Sequence, residues 1–249
     1  METSNISWTD GTWNPWYGCD KVSSECKNCY IDRFLVRRGL EPWGEVYRAE
    51  TTWTLPFKMQ KRAETEHKRL KLFTCSLSDF FHAAADQWRP EAWTIMRKCP
   101  DVDFLVLTKR ADRIAQHLPE DWGQGYPNVW LGVSIGVMKT AWRADELRKA
   151  PAVVRFISAE PLLESLGALD LTGIHWLISG GESGPNHRPM KLRWAEELRK
   201  KCQGSGTVFF FKQVSAPLSG EGEKALGKVY HSWPNPKLVQ IDGAEAQCS

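Results

Sequence analysis

Six short apolar runs constrain this chain most: Leu72–Ser76, Phe104–Thr108, Val129–Ser134, Val153–Ser158, Trp176–Ser179 and Val208–Phe211. They are rich in Val, Ile, Leu and Phe and alternate little with polar residues. Strands that are apolar on both faces must be covered on both faces, which is the condition of a parallel sheet flanked by helices. Helical stretches fall between them. Pro90–Lys98 opens with proline where a helix tolerates it, Ala111–His117 sets Ile114 and Leu118 at helical spacing, and Thr140–Lys149 and Arg193–Lys201 carry charged outer faces. A further helix, Tyr30–Arg38, is expected after a cysteine-rich loop. The β-α-β-α order predicts parallel strands joined by right-handed crossovers. With one short strand before Cys19 there are six or seven strands. The expected fold is therefore α/β, a partial TIM-like barrel with mostly parallel strands; a doubly wound sheet is the alternative. Gly39–His67 has no clean period and reads as a long excursion with a short helix. Residues 1–213 are expected to form the barrel and residues 214–249, rich in Gly, Pro, Lys and Glu, an irregular C-terminal extension.

The chain has 249 residues, 42% of them hydrophobic, so a large core can form. Its net charge of +3 is compatible with a nucleic-acid or nucleotide ligand without requiring one. No apolar run is long enough to span a membrane, and Met1–Asp10 lacks an apolar signal core, which points to a cytoplasmic protein. A cytoplasmic chain does not build a disulfide framework from its seven cysteines. Cys75, Cys99, Cys202 and Cys248 are scattered and read as ordinary buried or terminal residues.

Cys19, Cys26 and Cys29 are different. They stand in a C-x6-C-x2-C pattern, close enough to converge on one metal centre. Thiolates are the ligands an iron–sulfur cluster prefers, and three of them on a four-iron cluster leave one iron open. Backbone N–H groups at the start of the following helix would favour such a charged group. A zinc site, a redox pair at Cys26 and Cys29, and inert cysteines stay open as alternatives. Structural zinc is disfavoured because it needs a fourth ligand, and His67 and His82 lie far off in sequence.

The segment Ile6–Pro15, together with Cys19, Lys21, Ser23, Cys26, Asn28, Cys29 and Tyr30, closely resembles the phage Gp37/Gp68 family, also called DUF5131. Ser78–Phe81, Leu107–Arg110, Gly132–Ser134, Arg155–Leu163, Ile178–Gly184, Arg188–Met190 and Phe209–Gln213 follow in matching order. The resemblance spans about residues 5 to 213 and is lost from Val214 onward. It implies a divergent, compact relative of the radical S-adenosylmethionine (SAM) proteins: a partial barrel whose [4Fe–4S] cluster is held by Cys19, Cys26 and Cys29 and is ligated by SAM. It also implies a possible complex with a protein called the three-Cys-motif partner.

In parallel barrels chemistry collects at the C-terminal ends of the strands, and the matching segments fall there. Gly180 and Gly181 permit close backbone approach, and Glu182 would accept from an ammonium or from hydroxyls; a plain turn is the alternative. Glu160 suits ribose hydroxyls or a cation, or else an ion pair with Arg155 or Lys109. Ser76, Ser78 and Asp79 lie where the SAM amino group is expected, or cap a helix. Lys109 and Arg110 suit a carboxylate or phosphate, or form a solvated pair. Lys212 is a further candidate for the mouth, and Ser134 suits ribose or adenine. The expected function is a radical SAM enzyme in which an external donor reduces the cluster, SAM is cleaved to a 5′-deoxyadenosyl radical, and that radical attacks a nucleotide or nucleic acid. The alternatives are a non-catalytic iron–sulfur nucleic-acid-binding protein and a zinc-dependent nucleic-acid enzyme.

Overall fold

The computed structural model describes residues 3–236. Seven parallel strands form one curled sheet, a half-barrel: β1 (Gly11–Trp13), β4 (Leu70–Thr74), β5 (Val102–Thr108), β6 (Val129–Ser134), β7 (Val154–Ala159), β8 (Trp176–Gly180) and β9 (Val208–Gln213). Their spatial order follows the chain order from β1 to β9. A doubly wound sheet would reverse direction at a switch point, so that alternative does not apply. A small antiparallel ribbon pairs β2 (Trp16–Tyr17) with β3 (Tyr47–Arg48). The helices are α1 (Ile31–Val36), α2 (Leu55–Glu66), α3 (Arg89–Arg97), α4 (Trp142–Arg148) and α5 (Leu192–Ser205). None among the described residues is long and apolar enough to cross a membrane.

Both faces of the sheet are buried, as the uninterrupted apolar runs require. Leu72, Phe104, Leu131, Ile157, Leu177 and Phe209 face the helices and pack with Met59, Met96, Leu147 and Leu198. Phe73, Leu105, Trp130, Val154, Trp176 and Phe210 line the opposite, inner face. That inner face is filled by aromatic side chains from both ends of the chain. The Trp8 ring lies 4.6 Å from Phe73, and His231 stacks on Phe210 at 4.3 Å. Trp233 lies 5.3 Å from Phe210 and donates its indole N–H to the Trp8 carbonyl at 3.1 Å. Gly132 lies under the Phe156 ring, where a Cβ would sit 2.3 Å from Cζ. We expect Gly132→Ala to cost about 1–3 kcal/mol by overpacking, measured as a lowered urea midpoint at unchanged slope.

Three local expectations differ from the structure. The excursion 39–67 contains the twelve-residue α2, which buries Leu55, Met59 and Ala63 at four-residue spacing, and His67 closes it in the left-handed conformation. Ala111–His117 is not one α-helix but two 3-10 turns, Ala111–Arg113 and Ala115–His117. Arg113 is drawn there onto the Phe81 carbonyl and Asp86, contacts that outweigh local helix preference. No helix begins at Ser78 or Asp79; the next α-helix starts at Arg89, so helix capping is not their task. Cys75 follows β4 with a left-handed φ of 63°, Cys99 follows α3, Cys202 lies in α5, and Cys248 is outside the described residues. Part of the extension 214–249 is likewise outside them; residues 214–236 lie against the barrel without an α-helix or ladder strand.

Candidate functional site

The loop carrying Cys19, Cys26 and Cys29 crosses the C-terminal ends of the strands, held there by side chains remote in sequence. Glu25 is its anchor. Its carboxylate is fully buried and accepts from the Gly136 N–H at 3.2 Å, the Thr140 hydroxyl at 2.9 Å and the Arg143 guanidinium at 3.2 Å. Arg143 also donates to the Ser134 carbonyl at 2.8 Å. The segment following β6 is glycine at 136 because a Cβ there would meet the Pro161 carbonyl at 2.2 Å and Glu25 Cγ at 2.8 Å. A second tie is Asn28, which donates to Glu182 at 2.9 Å and to the Asn186 carbonyl at 2.7 Å. A third is the Tyr30 hydroxyl, which donates to the Ser76 carbonyl beyond β4. The loop therefore reaches β4, β6 and β8 at once.

The three thiols share an electrostatic neighbourhood. Cys19 and Cys26 are buried and Cys29 half-buried. Burial and the nearby Asp79 carboxylate push the Cys19 thiol up to about 11, against the opposing charges of Arg110 and Lys109. Burial also raises Cys29, where Lys109 again opposes it and the charge of Cys26 reinforces it. The Lys109 charge thus reaches two of the thiols from the end of β5. Arg110 Nη1 donates to Cys19 Sγ at 3.5 Å and lies 3.3 Å from Asp79. Arg143 feels the charge of Cys26. Three cations thus stand near thiols that would become anionic on binding a metal.

Among the described residues no three His, Cys, Asp or Glu side chains are gathered tightly enough to hold a single metal ion. Ligands of a four-iron cluster bind different irons and stand further apart than donors to one ion. The donor set fits the cluster by its chemistry: three soft ligands on one loop, ringed by cations that offset negative charge. Cys19, Cys26 and Cys29 are the residues that would hold it.

The other expected site residues divide into two groups. Asp79, Glu182, Ser76 and Ser78 are engaged within the protein. Asp79 accepts from the Thr108 hydroxyl at 2.6 Å and from the backbone N–H groups of Lys109 and Phe81, each at 2.9 Å. Glu182 takes the Arg188 guanidinium and backbone N–H as well as Asn28. Burial alone would raise its carboxyl, but Arg188 and Asn28 hold it below the usual range. It is a brace between loops, not the open acceptor expected. Ser76 exchanges hydrogen bonds with Asn14, and Ser78 donates to the Gly18 carbonyl at 2.7 Å. The space left by the two glycines is also filled by protein. A Cβ at Gly180 would meet Glu160 Oε1 at 2.5 Å, and one at Gly181 would meet the Ser215 N–H at 2.1 Å.

The second group faces the mouth above the inner face. Glu160 Oε1 pairs with Lys212 Nζ at 3.0 Å, a partner other than the Arg155 or Lys109 expected. Arg155 instead donates to the Ala150 carbonyl, at the far end of β7. Ser158 donates to the other Glu160 oxygen at 3.4 Å, and Ser134 is its register neighbour on β6. Tyr30 lies between Cys29 and Glu160, whose charges add to burial in raising its phenol. The mouth thus places Lys109, Ser134, Ser158, Glu160 and Lys212 around the cysteine loop. Sequence reasoning passed over Glu25, Arg143, Arg188 and Tyr30 as site residues. Two of them carried a signal: Tyr30 by its position directly after Cys29, and Arg188 by its place in the matching segment Arg188–Met190.

A family model described as "Protein of unknown function (DUF5131)" matches residues 3–233. The match continues past residue 213 and includes much of the segment after Val214 that the sequence reading set apart. No curated protein and no solved structure matches the chain.

Proposed function

We propose that this chain, which belongs to the DUF5131 family, is an iron–sulfur enzyme of the radical SAM kind. The observation that carries the reading is the placement of three cysteines on one anchored loop above the strand ends, with Lys109, Arg110 and Arg143 at the thiols. A [4Fe–4S] cluster with one open iron would supply the electron that splits the SAM sulfonium bond into methionine and a 5′-deoxyadenosyl radical. The chain's own work is binding and positioning. Cys19, Cys26 and Cys29 supply the ligands, and Glu25 and Asn28 fix their loop. Lys109 or Lys212 offers charge to the methionyl carboxylate. Glu160, ion-paired with Lys212 at 3.0 Å, offers its carboxylate to an ammonium or a ribose. Asp79 and Glu182 act as positioning residues, since the protein already occupies their oxygens. A nucleotide or nucleic-acid substrate is supported by the cations at the strand ends, and a reducing, cytoplasmic setting by the free cysteines. The three-Cys-motif partner remains a proposed companion.

The test is anaerobic reconstitution with iron and sulfide, then SAM and a strong reductant. We expect about four irons per chain, a spectrum that changes on adding SAM, and 5′-deoxyadenosine as a product. An intact cluster whose spectrum ignores SAM would instead support a non-catalytic iron–sulfur binder. Zinc without iron or sulfide would support the zinc enzyme.

A further inference from the structure

The three cysteine sulfurs have unlike neighbours. Cys29 takes the backbone N–H of Ile31, and Cys26 lies 3.9 Å from the Ser23 hydroxyl. Cys19 has a cation: Arg110 Nη1 donates to its sulfur at 3.5 Å. That guanidinium is clamped from two sides. The same Nη1 lies 3.3 Å from Asp79, and Nη2 reaches the Asp20 carbonyl at 3.5 Å and the Asp20 carboxylate at 3.8 Å. The Arg110 backbone N–H donates to the Thr108 hydroxyl at 2.9 Å, and that hydroxyl donates to Asp79 at 2.6 Å. Asp79 is fixed in turn by the N–H groups of Lys109 and Phe81. The side chains of Arg110 and Asp79 are 11% and 6% exposed, and Cys19 is buried beside them. Three groups of fixed position and unlike charge thus share one spot from which water is nearly excluded, so little solvent screens them.

We propose that Arg110 and Asp79 form a matched pair that sets the reduction potential of the cluster through Cys19, Arg110 raising it and Asp79 lowering it. The proposal rests on the iron–sulfur reading and adds which side chains tune that centre. The step concerned is the gain of one electron by the cluster from a reductant: the reductant is oxidised, the cluster reduced, and no bond forms or breaks. The added charge spreads onto the thiolate sulfurs, so a donor to sulfur stabilises the reduced state more than the oxidised one. A donor that carries a full positive charge does so more strongly than a neutral hydroxyl or amide. The carboxylate behind it acts with the opposite sign, since it holds the guanidinium in place and cancels part of its charge. Arg110 is therefore a positioning residue that acts on the centre through a ligand. Its hydrogen bonds to Cys19 and Asp20 and its contact with Asp79 commit the fork to protein atoms, which separates it from Lys109, the neighbouring cation offered to a ligand.

The experiment is a redox titration of the reconstituted full chain without SAM, followed by electron paramagnetic resonance, on the parent, Arg110→Gln, Arg110→Lys and Asp79→Asn. At a fixed poise the reduced-to-oxidised ratio is expected to fall about tenfold in Arg110→Gln, a midpoint about 59 mV more negative for one electron. Arg110→Lys keeps the charge but loses the fork, and its midpoint is expected between those two. Asp79→Asn is expected to move the midpoint the other way, to a more positive value. Opposite signs are the signature, because a merely loosened loop would shift both variants in one direction. If Asp79→Asn does not load iron, the order of parent, lysine and glutamine decides. A parent-like midpoint in Arg110→Gln with iron content intact would overturn the tuning pair, as would shifts of the same sign in Arg110→Gln and Asp79→Asn. An unchanged midpoint with weakened SAM binding would assign Arg110 to the ligand instead. A parent chain that never takes up iron and sulfide would overturn the iron–sulfur reading itself.

Discussion

Replacing Cys26 by serine is expected to reduce the iron and sulfide retained after anaerobic reconstitution by more than about tenfold. That is the lower bound seen when even an outer partner of a metal site is disturbed. The change exchanges a soft thiolate for a hydroxyl of similar shape at a buried position, so the loss is chemical and the fold should survive. Cys26 is the member of the trio closest to the anchor: it follows Glu25 directly, its sulfur lies 3.9 Å from the Ser23 hydroxyl, and its charge reaches both Cys29 and Arg143. Cys19→Ser and Cys29→Ser should act the same way. Cys202→Ser is the control, because that thiol is packed in α5 among core side chains and should leave iron content unchanged. Iron lost equally in all four variants would remove the claim that the trio is a ligand set.

Glu25→Ala should destabilise the chain by about 3–5 kcal/mol, the cost of leaving one member of a buried ion pair uncompensated. Arg143 would retain its charge, 2% exposed, with its chief counter-ion gone. Equilibrium unfolding in urea measures this directly. Replacing both partners, Glu25→Leu with Arg143→Met, should recover much of the stability, since a packed apolar pair can match a buried ionic one. It should not recover iron binding, because Gly136 and Thr140 would lose the acceptor that holds the loop in place. The pair also predicts a direction with pH. Burial raises the Glu25 carboxyl, but the Ser23 hydroxyl, its own N–H, Arg143 and Gly136 outweigh it and set it below the usual carboxylate range. A lowered folded value means that the contribution is complete above the ordinary carboxylate pKa and is lost as pH falls through the folded one. Acid unfolding should therefore be less steep in Glu25→Gln than in the parent.

The strands were readable because burial on both faces leaves a mark in local composition, and β6 begins and ends at the expected residues. The cysteine loop was readable because its three cysteines are neighbours in sequence. α2 was hidden by its polar stretches, although Leu55, Met59 and Ala63 carried the period. The anchors could not be read at all. Glu25 and Arg143 are 118 residues apart, and nothing in a lone glutamate announces burial. The same holds for Glu182, where a Gly-Gly-Glu sequence suggests an open acceptor until Arg188 and Asn28 are seen on it. Local pattern reports what a residue can do, while remote partners decide whether it is still available.

The way both ends of the chain fill the inner face has a consequence for biogenesis. A ribosome delivers the three cysteines long before Lys212, which lies in β9, and His231 and Trp233, which follow it. Until then Glu160 lacks its counter-ion and the aromatic floor beneath the mouth lacks its last members. The nascent thiols therefore wait, unprotected, for most of the polypeptide to emerge. A premature stop shortly after residue 213 would yield a product that keeps Cys19, Cys26 and Cys29 yet lacks the His231 and Trp233 rings that close the floor beneath the mouth.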